Sequence, residues 1–160
     1  MEKRFSMEVN GFDFEIEGNG ELVLNHEDGT FSSVKENRLK CQLAYTRMVS
    51  CVNDWFYDEV GANLEELVGR HIIQSTIDVG KQRIEEVLTY DGLWDMNNIF
   101  VQHEVKNYTC LIYTVYLRLR TDEPEKQKSV SFSVILDLVK GVKVRYGWKA
   151  DNKYLIGGTL

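Results

Sequence analysis

Between Ile99 and Trp148 apolar residues recur at every second position in four successive runs, and this period constrains the fold more than any other feature of the chain. Leu111, Tyr113, Val115, Leu117 and Leu119 form the longest run. Ile99, Val101, His103 and Val105 precede it, and Phe132, Val134, Leu136 and Leu138 follow, then Val142, Val144, Tyr146 and Trp148. An extended chain sends alternate side chains to opposite faces, so each run hides its apolar set only as a strand with one face on a core. The breaks carry turn chemistry: Lys106-Asn107, a charged stretch from Thr121 to Lys128 holding the only proline, and Lys140-Gly141. Four antiparallel strands are expected.

Upstream the period changes. Phe12, Phe14 and Ile16 alternate with acidic residues, Gly18-Asn19-Gly20 suits a turn, and Leu22 to Leu24 begins a second short strand, which together predict a hairpin. Ser33 with Glu36 has the spacing of a capping box, in which a hydroxyl and a carboxylate reciprocally satisfy free backbone N–H groups at a helix start. A helix from there to about Val52 carries Val34, Cys41, Ala44, Tyr45, Met48 and Val52 on one stripe, with Leu39 and Leu43 nearly opposite. A helix apolar on two faces is sandwiched, either between layers of one domain or between subunits. Asn63 with Glu66 repeats the capping spacing for a short helix that Gly69 ends. A third helix starts near Ser75 or Thr76, buries Ile77, Ile84, Val87 and Leu88, and stops at Asp91-Gly92. The order hairpin, three helices, then about four antiparallel strands describes one α+β domain over residues 1–160.

Composition narrows the function classes. Twenty-five acidic against 19 basic residues give a formal charge of −6, and the basic residues are scattered, so nucleic acid is not an expected partner. No apolar run approaches the roughly 20 residues of a membrane helix, and Met1-Glu2-Lys3-Arg4 does not open a signal peptide. Cys41, Cys51 and Cys110 form no CxxC. Cys41 and Cys51 share a predicted helix about 15 Å apart along its axis, too far for a disulfide, and reduced cysteines of a cytosol-made protein are expected.

Chemistry-bearing patterns are sparse. His26, His71 and His103 lack ligand spacing, and His103 with Cys110 would need two further ligands to hold zinc. Ser50-Cys51 and Ser131 with Ser133 sit in a predicted helix and strand rather than at a nucleophile turn, and Gly157-Gly158 does not lead into a helix that could cradle phosphate. Asp54, Asp58, Glu59, Glu85, Glu86 and Asp91 are carboxylates that could pair for glycoside cleavage, but each has a plain place in a loop, a wet helix face or a turn. No catalytic residue, metal ligand or cofactor is assigned, and an enzyme is not expected.

From Asp13 to Leu119 the chain resembles the small baseplate wedge proteins of contractile phage tails and related injection machines, the sheath initiators historically labelled lysozyme-like. The resemblance rests on the Asp13-Phe14-Glu15-Ile16 strand and the Asp28-Gly29 turn, then on Asn37 and Gln42 in the first helix. It continues through Asp54-Trp55-Phe56-Tyr57-Asp58, Gly61-x-Asn63-Leu64, and Ile84-Glu85-Glu86-Val87-Leu88 leading into Ile99-x-Val101. It covers about two-thirds of the chain, and most of its motifs are turn and packing signals. The family's Glu-Pro-Arg triplet is missing: Asp91-Gly92-Leu93, or Trp94-Asp95-Met96 in a shifted register, stands there, and no residue is carried over for that contact.

The resemblance implies a family-like core over residues 1–128 with a β-hairpin extension over 129–160. It implies a structural part of the tail baseplate in the virion, made in the host cytoplasm, with other wedge subunits, the sheath protein and the tail tube or hub as partners. Its mechanism would be β-augmentation, in which a visiting strand pairs with an open sheet edge. Candidate interface residues are Trp55, Tyr57, Phe132, Val134, Val144, Arg145, Tyr146 and Trp148. A lysozyme-like cell-wall glycosidase and a tail adaptor or binding module of the same fold class are the alternatives.

Overall fold

The protein is described by a computed structural model covering residues 11–17, 21–54, 60–119, 128–145, 147–148 and 154–155. The Gly18-Asn19-Gly20 turn, the Trp55-to-Glu59 stretch, the charged turn before Lys128 and Tyr146 lie outside these residues. In chain order the elements are β1 (Phe12–Phe14), β2 (Ser33–Lys35), α1 (Glu36–Val49), α2 (Gln74–Thr89) and β3 (Ile99–Asn107). Then come β4 (Cys110–Leu119), β5 (Lys128–Asp137), β6 (Gly141–Arg145), β7 (Gly147–Trp148) and β8 (Tyr154–Leu155). Short 3₁₀ turns occupy Leu64–Leu67, Tyr90–Gly92 and Met96–Asn98. Among the described residues no helix is long and apolar enough to cross a membrane.

The expected α+β class and the four-stranded antiparallel sheet are both present. The sheet runs β3-β4-β5-β6, each strand beside its sequence neighbour. Facing residues such as Tyr113 and Val134, or Val134 and Val144, share the inner face, so the alternate apolar set of each run lines one side. Leu111, Tyr113, Val115, Leu117, Val130, Phe132, Val134 and Leu136 are wholly buried there, against Cys41, Ala44 and Met48 of α1 and Ile84 and Leu88 of α2 in one core. β5 is an interior strand paired along its length with β4, so the hairpin formed by β5 and β6 packs on its own domain. β7 pairs with β8, and β8 lies against β5.

Among the described residues two α-helices are present, not three. Leu64–Leu67 is a 3₁₀ turn, and Asn63 before it has a left-handed backbone (φ 50°) and makes no side-chain cap. Its Oδ1 instead accepts from the Val52 N–H at 2.6 Å. The capping box expected at Ser33 and Glu36 is also absent, because Ser33 is a strand residue of β2 and Glu36 itself, at φ 52°, turns the chain into α1. α1 ends at Val49 because the returning segment takes its carbonyls: the Ala62 N–H donates to Arg47 O and the Asn63 N–H to Ser50 O. Gly61 allows that approach, since a Cβ there would stand 2.4 Å from the Cys51 carbonyl carbon.

The N-terminal hairpin is a small ribbon with a different pairing from the one expected. β1 pairs with β2, and single bridges join Ile16 to Leu22 and Leu24 to Phe31. The expected apolar set is split: Phe12 and Phe14 face outward and Ile16 packs against the core, whereas Glu15 and Val34 are buried. The Glu15 carboxylate, on the buried side, is ion-paired with Arg38 and accepts from Ser32 Oγ at 2.6 Å. Gln42 of α1, 4% exposed, binds the ribbon as a strand would: Oε1 accepts from the Ile16 N–H at 3.0 Å and Nε2 donates to Phe14 O at 2.7 Å. α1 therefore contacts the ribbon through Gln42 and Arg38 while Cys41, Ala44, Met48 and Leu43 pack in the core.

Candidate functional site

The sheet has two margins. β6 is five residues long and lies against α1 and the Leu64–Leu67 turn. β3 is nine residues long, and among the described residues no strand pairs with its outer side. Its first part is anchored: Ile99 and Val101 face the core, where α2 crosses, and both are buried. From Gln102 to Asn107 every residue is exposed, including His103 and Val105, which had been expected on the apolar side. The helical layer covers Tyr113 and Leu111 opposite them but does not extend over the margin strand beyond Val101. The β3–β4 register slips between Val105 and Asn107, a bulge that bends the end of the margin. Glu104 and Lys106 place charge along it, which opposes indiscriminate pairing.

Among the described residues, those singled out from sequence do not form one surface. Phe132 and Val134 of β5 are wholly buried and Val144 of the margin strand β6 is 3% exposed, so all three side chains pack in the core. For β5 the reason is its interior place: alternation marks the apolar face of a strand, and on an inner strand that face belongs to the core. Arg145 is half-buried at the end of β6, opposite Ser133. Trp148 stands in β7 opposite Tyr154, and Trp55, Tyr57 and Tyr146 lie outside the described residues. The β3 margin was overlooked. Its signal was the failure of alternation after Val101, where Gln102, His103, Glu104 and Lys106 put polar groups on both faces.

A cleft of about 300 Å³ lies beside the end of α1, lined by Val60, Ala62, Arg83, Val87 and Tyr90 among others. Its polar groups are engaged in holding the fold. Arg83 donates to Asn63 O at 2.5 Å and pairs with Glu66 at 2.9 Å, and Glu86 accepts from Gln82 at 2.6 Å. Of the carboxylates considered for glycoside cleavage, Glu86 lines this cleft, Asp54 accepts the Cys51 N–H at 2.7 Å, and Asp91 occupies a left-handed turn at φ 56°. Burial, with the nearby Asp54, Glu65 and Glu66, pushes the Cys51 thiol up and keeps it protonated, the reverse of an activated nucleophile. His103 shares the inner face with Tyr113, whereas Cys110 belongs to the outer set with Ile112, so the two point apart. No group of three or more metal-ligating side chains occurs among the described residues.

What the β3 margin offers chemically is a row of main-chain donors and acceptors, with exposed side chains on both faces to read a partner's sequence. Comparison with protein-family models, curated proteins and solved structures finds no match for this chain.

Proposed function

We propose that this chain is a structural component of a contractile-tail baseplate wedge and that it takes up a strand of the sheath protein, or of a neighbouring wedge subunit, along β3. The observation that carries the reading is the nine-residue margin strand whose outer side no described strand occupies. Each main-chain group on that side gains a directional bond only when another extended chain arrives. The order of elements and the Trp55-to-Leu64 segment support the tail context. The missing Glu-Pro-Arg triplet means that any contact made by it in such wedges would be made here by other residues.

The test mixes the purified chain with the sheath protein of the same particle, with proline placed in turn at Gln102, His103 and Glu104. In a strand the N–H groups alternate between its two neighbours. Proline where the N–H points outward weakens binding about tenfold or more while melting stays near wild type, since it removes a donor and adds bulk at the docking edge. Proline where the N–H points to β4 instead lowers stability. Unimpaired binding by all three variants, or no binding by the wild-type chain, sinks the reading.

A further inference from the structure

Among the described residues no strand pairs with the outer side of β3, whereas β6 at the other margin lies against α1 and the Leu64–Leu67 turn. A molecule with one open margin that pairs with itself closes as a two-fold dimer, whereas two open margins would build a filament. When a strand pairs antiparallel with its own copy about a two-fold axis, positions equally far on either side of the axis face each other on the same side of the sheet. The side chains of β3 then decide where the axis falls. On Glu104 it sets two like charges opposite each other. On Gln102 it sets Glu104 against Phe100, which gives the carboxylate no donor. On Val105 it sets Glu104 against Lys106, but that pairing runs through the bulge. On His103 it sets the Gln102 amide, a donor, against the Glu104 carboxylate and Val101 against Val105, each pair twice. These residues lie ahead of the bulge, where β3 is regularly paired with β4.

The layer above the sheet fits the same axis. α2 crosses β3 where Ile99 and Val101 are buried, and from Gln102 onward the strand is bare. About His103, the bare half of each strand lies beside the half that α2 crosses in the copy, so the two helical layers stand diagonally across the joined sheet. Val105, 47% exposed in one chain, then meets Val101 at the edge of the copy's core. A single strand pair covers well under the roughly 800 Å² per partner of a standard stable interface, so the association is weak and the edge stays exchangeable. We infer that β3 pairs antiparallel with β3 of a second copy about His103, on the margin of the strand-acceptor reading and resting on it for the guest alone, so that guest strand and second copy compete for one edge.

The test follows the intact chain alone by analytical ultracentrifugation and by disulfide trapping. A monomer–dimer equilibrium with no larger species is expected. Under mild oxidation His103→Cys should trap a covalent dimer above the background set by the chain's own cysteines. Gln102→Cys and Glu104→Cys should each stay at background alone and cross-link to each other when mixed. Gln102→Glu should weaken dimerisation several-fold, because carboxylates then meet twice, and adding Glu104→Gln should restore it by exchanging the pair. Both positions are exposed, so these variants should melt near wild type. A monomer at every concentration, growth into larger species, strongest trapping by Gln102→Cys or Glu104→Cys alone, or an exchange that restores nothing overturns the inference. Sheath protein that binds a chain monomeric on its own sinks the self-pairing and leaves the strand-acceptor reading standing. A dimer trapped by His103→Cys and undisturbed, before oxidation, by excess sheath protein upholds the self-pairing and sinks that reading.

Discussion

Among the described residues Tyr113 is the largest wholly buried side chain, and it brings a hydroxyl into the core. The hydroxyl is satisfied because it donates to the Ile77 carbonyl of α2 at 2.8 Å. That approach depends on Gly80: a Cβ there would lie 2.1 Å from the Tyr113 oxygen. Glycine inside a helix costs about 1 kcal/mol relative to alanine, and the buried bond with close helix-to-sheet packing offsets it. Gly80→Ala is therefore expected to destabilise by about 2 kcal/mol in denaturant unfolding despite its better helix propensity. Tyr113→Phe should cost about 1 kcal/mol alone, and in that background Gly80→Ala should cost less, a coupling of about 1 kcal/mol. Additive losses would show that the two residues do not share this space. A second residue-scale effect is set by pH. Asp137 accepts from the Val139 and Lys140 N–H groups at 2.8 and 3.1 Å, and these donors hold its carboxyl below the ordinary value. A depressed folded-state pKa stabilises the β5–β6 turn above the unfolded-chain value, and this is lost as pH falls through the folded one. The difference in melting temperature between wild type and Asp137→Asn should thus shrink as pH drops from about 5 towards 2.

At the scale of elements, the ribbon is attached to α1 largely through polar groups, and Gln42 is central to that attachment. Replacing Gln42 with Leu leaves the Phe14 carbonyl and the Ile16 N–H without their partner, a cost of about 2 kcal/mol borne by the ribbon. Amide exchange across residues 12–17 should rise about tenfold or more, while β4 and β5 keep wild-type protection. Equal acceleration in β4 would show that ribbon and sheet open together. This layer also shows where sequence reading stops. The period of two over Leu111 to Leu119 names the buried face because an interior strand between a helical layer and its neighbours has one choice. The same period in Phe12, Phe14 and Ile16 brings only Ile16 onto the core, because Gln42 and Arg38, distant in sequence, hold the ribbon edge and the Glu15 carboxylate inward. Ser33 and Glu36 have capping-box spacing, yet β2 claims Ser33 for a strand. The β3 margin was legible only as lost alternation, and its openness depends on where the helices end, which no local pattern states. Gly61, Asn63 and Leu64 serve this fold directly, as a close approach, a left-handed turn and a buried anchor.

For the whole molecule, the relevant fact is that α1, α2 and the sheet share one core. Cys41 lies within it, wholly buried, and burial pushes its thiol up to about 12. Alkylation of Cys41 at mildly alkaline pH should then proceed at the rate of global unfolding, with reaction followed by mass spectrometry and unfolding by circular dichroism. Faster reaction would reveal an opening of α1 short of complete unfolding. The interior place of β5 has one further outcome, in the order in which the chain leaves the ribosome. β4 gains its second neighbour only after Lys128 onward has emerged, and the meander is completed by Val144. Until then a nascent chain displays a half-built sheet together with the phenylalanine-rich ribbon, and it is in that interval that chaperone capture or premature clumping would be decided.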